Sequence, residues 1–512
     1  MAELLADTEA AIDAALLEAL GGMTPDEVEA DICRESFFEF FCAFWHTIEA
    51  VELKLNWHIE YLCNQLQEVY ELWEQGRAQP DVLINVPPGT SKSTTVTQLF
   101  PAWLWVRKPS IRLISSSFNA GLSISHSTKT RLCLKSPKFQ RLYPGLVEFQ
   151  QDQDGKTDYR NTALGQRYST STTGGPTGNH ADFIIIDDPL NPQKSASEAA
   201  LAAASQHLKT LATRTTDPER TVTIMVMQRI SDKDPAGEWL ASGRKLRHIC
   251  LPGELTKDEK TGEVGKQVRP AYLKEEYVDN LLDPVRRPRS VLQDLKVVLG
   301  SYGYAGQIQQ MPAPDEGGIV KKAWFRTMPY PEFLKLPGAS AAVWHGDADT
   351  AYTDQQKNDP SALLISCYIG QTLYVSYVDE MWLELPQLKK RLPLDLATHN
   401  AVTARSKLYV EPKASGKSVV QELRDITELN IVEAPTPDGD KRSRVNTASP
   451  FIEAGRVVLI DGSWNEKLIN QAAAFPNAAH DDMLDCLTQA IRRYQPNGSK
   501  PITTYQTYSP AP

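Results

Sequence analysis

The stretch Asp81-Val-Leu-Ile-Asn-Val-Pro-Pro-Gly-Thr-Ser-Lys-Ser-Thr94 constrains this chain more than any other. An apolar run meets a short Pro/Gly loop, and Lys92, Ser93 and Thr94 then open a helix. That is the layout of a phosphate-binding loop. Backbone N–H groups at a helix start cradle phosphates, a lysine reaches the terminal ones, and a hydroxyl holds Mg²⁺. The pattern predicts that Pro88, Gly89, Thr90, Ser91, Lys92, Ser93 and Thr94 take the phosphates of ATP, with Ser93 also on Mg²⁺. The usual pattern has Gly at its first position and before the Lys; here Val86 and Ser91 stand there. A plain strand-to-helix turn with a surface lysine would carry the same residues, so the reading needs support from elsewhere in the chain.

With 512 residues the chain is too long for one ordinary core, and two large domains or more are expected. Its 41% hydrophobic and 23% charged residues are those of a soluble globular protein. No run approaches the ~20 apolar residues that span a bilayer, so no membrane is expected. The acidic, helix-patterned start lacks the basic region of a secretory signal. Seven scattered cysteines without a CxxC pair argue for a reducing compartment, with no disulfide framework and no structural zinc. The net charge of −10 speaks to solubility, whereas nucleic-acid binding depends on local patches. Three basic clusters exist: Arg286-Arg287-Pro-Arg289, Lys389-Lys390-Arg391 and Lys441-Arg442-Ser-Arg444.

Residues 1–34 read as an acidic helical lead-in. Residues 35–255 alternate strand-like and helical patterns, which predicts an α/β unit with a mostly parallel sheet. Its strand candidates are 82–86, 112–116, 183–186, 221–227 and 248–251. Residues 256–335 are charged and interrupted by Pro and Gly, a linker or lid region. Residues 336–495 form a second α/β unit, with strand candidates 341–345, 362–368, 372–378, 408–410 and 457–459 and a closing helix over 481–494. The tail 496–512 is predicted to be disordered.

Downstream of the loop, Ala181-Asp-Phe-Ile-Ile-Ile-Asp-Asp-Pro189 is an apolar run ending in two carboxylates. In P-loop enzymes a second buried strand, expected beside the P-loop strand, ends in an Asp that holds Mg²⁺ through water. Asp187 fits that role, and Asp188 fits the base that activates the attacking water. A helix-capping Asp is the alternative. A further buried run, Thr221–Met227, ends in Gln228 and Arg229, which suit sensing of the γ-phosphate.

These stretches resemble the large terminase subunit of tailed bacteriophages. The resemblance rests on Asn56-Trp-His58, Pro87–Thr94, Gly174-Gly-Pro-Thr-Gly178, Phe183–Pro189, Gln228-Arg229, Asp234-Pro-Ala-Gly237 and Gly300–Pro312. It implies a P-loop ATPase domain and places the adenine near Asn56–His58, with Trp57 either beside it or in the core. The family commonly has Pro-Pro-Arg-x-Gly-Lys-Ser at the loop. Gly89 and Ser91 stand at the Arg and Gly positions, so another arginine has to meet the phosphates; Arg131 is the candidate.

The second unit carries three acidic motifs: Trp344–Tyr352 with Asp347 and Asp349, Leu408–Gly416 with Glu411, and Phe475–Asp485 with His480, Asp481, Asp482 and Asp485. Hydrolysis of a phosphodiester uses two divalent metals about 4 Å apart, which need shared carboxylates. Oxygen ligands favour Mg²⁺ or Mn²⁺ over zinc. Strand, strand and helix start are the elements of an RNase H-like nuclease, although each motif alone is also ordinary turn and cap chemistry. Asp349-Thr-Ala351, Glu411 with Ser415-Gly416, and His480-Asp-Asp482 with Asp485 are similar to the terminase nuclease domain. So are Gly439–Arg444 and Glu453–Val457. Asp349, Glu411, Asp481 and Asp482 are therefore the expected catalytic metal ligands. Asp349 is preferred to Asp347, and Asp481 and Asp482 remain alternatives.

The resemblance implies a motor that packages double-stranded DNA by hydrolysing ATP and cuts it with metal ions. Its implied partners are a portal protein, a small terminase subunit and further copies in a ring. Its implied place is the cytoplasm of an infected bacterial host and, transiently, the procapsid. The rival readings are a helicase-nuclease, which should show a second motor domain, and a non-catalytic packaging or scaffold subunit with a degenerate loop.

Overall fold

The computed structural model describes residues 22–175, 178–191, 198–257, 262–312, 319–351, 360–411, 420–422, 424, 429–435, 440–476 and 480–494; the side chains of 151–154 are outside the description. The chain divides into two compact units, residues 1–294 with 303–313 and residues 295–302 with 314–512. The division falls within the helix Arg289–Gln307, whose Gly300 breaks helical geometry with φ 66°.

The first unit is built on an eight-stranded sheet: β1 (Asp81–Asn85), β2 (Arg112–Ser117), β3 (Phe149–Asp154), β4 (Asp158–Asn161), β5 (Gln166–Ser171), β6 (Phe183–Asp187), β7 (Val222–Met227) and β8 (Leu246–Cys250). Their order is β3-β4-β5-β2-β6-β7-β1-β8, parallel except for the β3/β4 and β4/β5 pairs. Alternate side chains of a strand point to opposite faces. Phe183 and Ile185 of β6 accordingly join one apolar cluster and Ile184 and Ile186 the other; Val82 and Ile84 of β1 are likewise separated from Leu83. Both faces are covered, which is why these strands read as unbroken apolar runs.

One expectation about this sheet is corrected. β6 does not lie beside the P-loop strand, because β7 stands between them, paired with β6 on one side and β1 on the other. The strands β3, β4 and β5 are not among the sequence candidates. Their residues, such as Gln-Arg-Tyr-Ser-Thr-Ser in β5, lack the apolar run that marks the others.

The second unit holds a seven-stranded mixed sheet: β9 (Arg326–Met328), β10 (His345–Asp349), β11 (Ser361–Ile369), β12 (Thr372–Met381), β13 (Leu408–Val410), β14 (Ile431–Glu433) and β15 (Val457–Ile460). The order is β14-β13-β10-β11-β12-β15-β9, and β11 runs antiparallel to both of its neighbours. The first strand lies later than expected. A 3₁₀ turn occupies Ala339–Ala341, and β10 starts at His345 and buries Asp347 and Asp349. Both units are thus mixed α/β. Helix Asp482–Tyr494 packs Met483, Leu484, Leu487 and Ile491 into one of the two apolar clusters of the second unit. Among the described residues no helix is long and apolar enough to cross a membrane.

Candidate active sites

β1 delivers its chain into the loop, the helix opens at Lys92, and Thr94–Leu99 winds as a π-helix. Gly89 and Ser91 both take left-handed backbone angles, φ 73° and 62°. A glycine adopts that conformation at no steric cost, whereas Ser91 carries a Cβ into it. The loop closes on itself through Thr90 Oγ1, which donates to the Pro87 carbonyl at 2.8 Å, and through Thr95 N, which donates to the Ser91 carbonyl at 2.9 Å.

Lys92 Nζ stands 3.0 Å from Asp188 Oδ2. Loop and carboxylate strand therefore meet although β7 separates their strands. Asp188 sits at φ 42°, a strained turn of the kind that collects at functional sites. Asp187 is fully buried; its Oδ2 accepts from Thr97 Oγ1 at 2.8 Å, the Ser93 hydroxyl also acts on the carboxyl, and among the described residues its buried Oδ1 has no hydrogen-bond partner. Burial raises the pKa of both carboxyls against the pull of Lys92. An unsatisfied buried carboxylate oxygen beside a phosphate-type loop fits a hard cation such as Mg²⁺. His126 Nδ1 lies 3.4 Å from Asp187 Oδ2. Burial, then the charge of Arg167, hold that imidazole down to about 4, so it is neutral near pH 7 and the contact is not an ion pair.

Gln228 is buried beside this pair, and its N–H points at Asp188 Oδ1 at 3.4 Å. Arg229 is engaged elsewhere: its Nε donates to both oxygens of the buried Asp234, at 3.1 Å each. Trp57 is half-buried and meets Tyr277 edge-on, 5.6 Å between ring centroids, as a core residue does. Its neighbour His58 is the residue that reaches the loop, with Nε2 3.2 Å from the Thr90 carbonyl and Nδ1 2.6 Å from Asn56 Nδ2. The Asn56 and Thr90 contacts suit a proton on Nε2, and Arg286 Nη2, 3.3 Å from that nitrogen, then stands by as a charge and not as a donor to it.

Arg131, the sequence candidate for meeting the phosphates, lies on helix Ala120–Leu134. Two arginines that do contact the loop come from a cluster that reads in the sequence as a basic patch. Arg286 Nη1 donates to Ser91 Oγ at 2.8 Å, and Arg287 Nη2 donates to the Pro88 carbonyl at 2.6 Å. Asp283 pairs with the Arg286 guanidinium.

In the second unit, Asp349 ends β10 and Glu411 follows β13. The two strands are parallel neighbours in register Ala348 to Val410, and Glu411 N donates to the Ala348 carbonyl at 3.0 Å. The final helix packs against β10 and β11 and so carries Asp482 and Asp485 to the same sheet. Asp347 is committed to Arg493 Nη1 at 2.7 Å and to Gln489 Nε2 at 3.2 Å. That is a structural pairing, and it leaves Asp349 as the strand-end carboxylate.

Two cations missed as site residues reach these acids from helix Lys441–Glu453. Lys441 binds Asp481 and, at 2.9 Å, Asp485. Arg444 stands 3.3 Å from both Glu411 and Asp485. The signal is present in the Lys441-Arg442-Ser-Arg444 cluster, which reads as surface charge. Burial raises the Asp485 pKa, opposed by Arg444 and Lys441. The all-oxygen donors suit Mg²⁺ or Mn²⁺. Among the described residues, however, no three His, Cys, Asp or Glu groups stand close enough together to hold a metal ion. Ser415, Gly416 and Asp359 lie outside the described residues.

Comparison with known families bears on this second site directly. Residues 397–493 match the family model described as the terminase RNaseH-like domain, a span that includes Glu411, Lys441, Arg444, Asp481 and Asp482. Residues 397–493 of the second unit are thus similar to a terminase RNase H-like domain. The resemblance to large terminase subunits holds over this stretch. No curated protein matches the chain. Among solved structures, the large terminase of a thermophilic bacteriophage is 10% identical, with 84% of this chain and 98% of that chain covered and a TM-score of 0.49. The HK97 bacteriophage large terminase is 13% identical, with 89% and 99% covered and a TM-score of 0.33. The human cytomegalovirus terminase nuclease domain is 13% identical, with 30% and 84% covered and a TM-score of 0.24. None of these TM-scores reaches 0.5, and the assignment rests on the family match.

Proposed function

We propose that this chain is a DNA-packaging motor, an ATPase that drives double-stranded DNA into a procapsid and a metal-dependent endonuclease that cuts it. The observation that carries the ATPase half is the 3.0 Å approach of Lys92 to Asp188 beside the buried Asp187. The match of residues 397–493 carries the nuclease half.

In this reading the loop N–H groups of 89–94 and Lys92 bind the phosphates, and Ser93 and Asp187 would hold Mg²⁺. Asp188 takes the proton of the attacking water, a task suited to a carboxylate whose pKa burial has raised. Gln228, already against Asp188, registers the γ-phosphate. Arg229 joins only by leaving Asp234, a pairing that suits a relay. Arg286, on Ser91 Oγ, supplies positive charge at the loop that Gly89 does not.

At the nuclease site, Asp349, Glu411 and Asp481 or Asp482 are the residues that would hold Mg²⁺ or Mn²⁺ once drawn together, and the metals would supply activation of water and charge for the leaving oxygen. Lys441 and Arg444 balance the acidic charge and orient Glu411, Asp481 and Asp485. Double-stranded DNA, a portal protein, a small terminase subunit and sister copies in a ring are the proposed partners, in the cytoplasm of an infected bacterium and on the procapsid. The helicase-nuclease reading requires a second motor sheet, and the terminase RNase H-like match in the second unit disfavours it. The test is direct: the purified chain should release phosphate from ATP with Mg²⁺ and linearise supercoiled plasmid with Mn²⁺. A folded protein lacking both activities contradicts the proposal.

A further inference from the structure

Arg167 is a charged side chain in an unusual place. It sits in β5, fully buried at 0% exposure, and is among the largest side chains wholly inside the protein. Among the described residues no carboxylate lies within ion-pair distance of it. Its Nη1 donates to Thr130 Oγ1 at 2.6 Å, its Nη2 donates to the Thr97 carbonyl at 2.7 Å, and its Nε finds no acceptor. An ionised group taken out of water without a counter-charge is costly, and an apolar side chain of similar volume would avoid that cost. A neutral packing role therefore explains Arg167 poorly.

Both of its hydrogen bonds lead to one short segment. Thr130, on helix Ala120–Leu134, passes the contact on by donating to the Gln98 carbonyl, so Arg167 ties down Thr97 directly and Gln98 through Thr130. These residues belong to Thr94–Leu99, the turn that follows Lys92 and Ser93 and that winds as a π-helix. Wide turns of this kind present backbone carbonyls outside the ordinary ladder and recur at functional sites. Thr97 is also the residue whose hydroxyl donates to Asp187 Oδ2 at 2.8 Å. The path from the guanidinium to that carboxylate thus runs through a single residue, whose carbonyl is held at one end and whose hydroxyl acts at the other.

We propose that Arg167 is a positioning residue of the ATP site, which fixes the π-helical turn after the phosphate loop so that Thr97 holds Asp187 with its second oxygen turned toward the cation. This rests on the ATPase reading of Lys92, Asp187 and Asp188. Arg167 touches neither nucleotide nor metal, and it acts on the Asp187 carboxylate through Thr97.

The test uses the full chain with Arg167→Met, Arg167→Lys, Thr97→Val and the Arg167→Met/Thr97→Val pair. ATP hydrolysis is measured against Mg²⁺ and against ATP concentration, with plasmid cutting and thermal unfolding as controls. The expected result is a kcat lowered by roughly 10- to 100-fold and a raised Mg²⁺ requirement, while KM for ATP and plasmid cutting stay near their original values. Arg167→Lys should recover part of the loss. The double variant should be no worse than the poorer single one, because both lesions lie on one path. Thr97→Val is nearly isosteric, so it reports on the path even if Arg167→Met fails to fold. Two outcomes overturn the proposal: Thr97→Val with unchanged kcat and Mg²⁺ requirement, or losses that multiply in the double variant. A folded unaltered chain without Mg²⁺-dependent hydrolysis would instead overturn the ATP-site reading on which the proposal stands.

Discussion

Ser91 shows how one side chain answers for two features of the loop. Its φ of 62° is a glycine conformation, and its hydroxyl takes the hydrogen bond from Arg286. A Cβ in the left-handed region costs about 1 kcal/mol, comparable to the net worth of one hydrogen bond, about 1 kcal/mol. Ser91→Ala keeps the strain and loses the bond, whereas Ser91→Gly loses both. Denaturant unfolding should therefore find Ser91→Gly more stable than Ser91→Ala by about 1 kcal/mol. The opposite ranking would remove strain from the account of this loop.

His58 is a residue-scale test in pH. Burial, then the Arg286 charge, lower its pKa from 6.5 to about 4. The unfolded chain therefore binds the proton more readily than the folded one. Stability that depends on neutral His58 is complete above the unfolded pKa and is lost as pH falls toward the folded one. Between about pH 7 and pH 5 the loss amounts to about 2 kcal/mol. His58→Gln should show a shallower fall in unfolding free energy over that window, and an unchanged slope would contradict the assignment.

At the scale of elements, Asp234 organises the turn between β7 and the helix Pro235–Ala241. It caps the helix through Gly237 N at 2.7 Å, accepts from Ile230 N at 2.7 Å and Ser231 N at 3.2 Å, and balances Arg229. Asp234→Ala would leave Arg229 partly buried without its partner and uncap the helix, a loss of about 3–5 kcal/mol. Thermal unfolding should show a drop of several degrees or more, larger than for Arg229→Met, which leaves Asp234 its three backbone N–H donors and the helix its cap. The same turn marks a limit of sequence reading. Gln228 and Arg229 are visible as polar residues at a strand end, but nothing in their spacing says that Arg229 faces Asp234. The strands β1, β6 and β7 are legible because burial on two faces demands continuous apolar runs. β5 is not, because Arg167 and its hydroxyl-bearing neighbours fill its positions. Likewise Arg286, Lys441 and Arg444 look like solvated charge, since a sequence does not reveal that a distant loop or an acidic strand end neutralises them. The acidic motifs, by contrast, can be read in order because each ends or opens an element. The three-carboxylate cluster expected from them is not assembled among the described residues, where Lys441 and Arg444 draw Glu411, Asp481 and Asp485 to themselves.

At the scale of the whole molecule, the proposed function gives the two α/β units two different chemistries on one chain. A net charge of −10 gives no general attraction for DNA, so the proposed function requires local basic groups for contact with a duplex. The central claim is that the loop around Lys92 and the strand end at Asp349 are separate active sites. It is tested most directly by Lys92→Ala and Asp349→Ala in the full chain, each measured for both ATP hydrolysis and Mn²⁺-dependent plasmid cutting. The account predicts that Lys92→Ala loses hydrolysis by roughly 100-fold or more and still cuts, and that Asp349→Ala still hydrolyses ATP and no longer cuts. Loss of both activities from a single substitution, in a protein that remains folded, would contradict it.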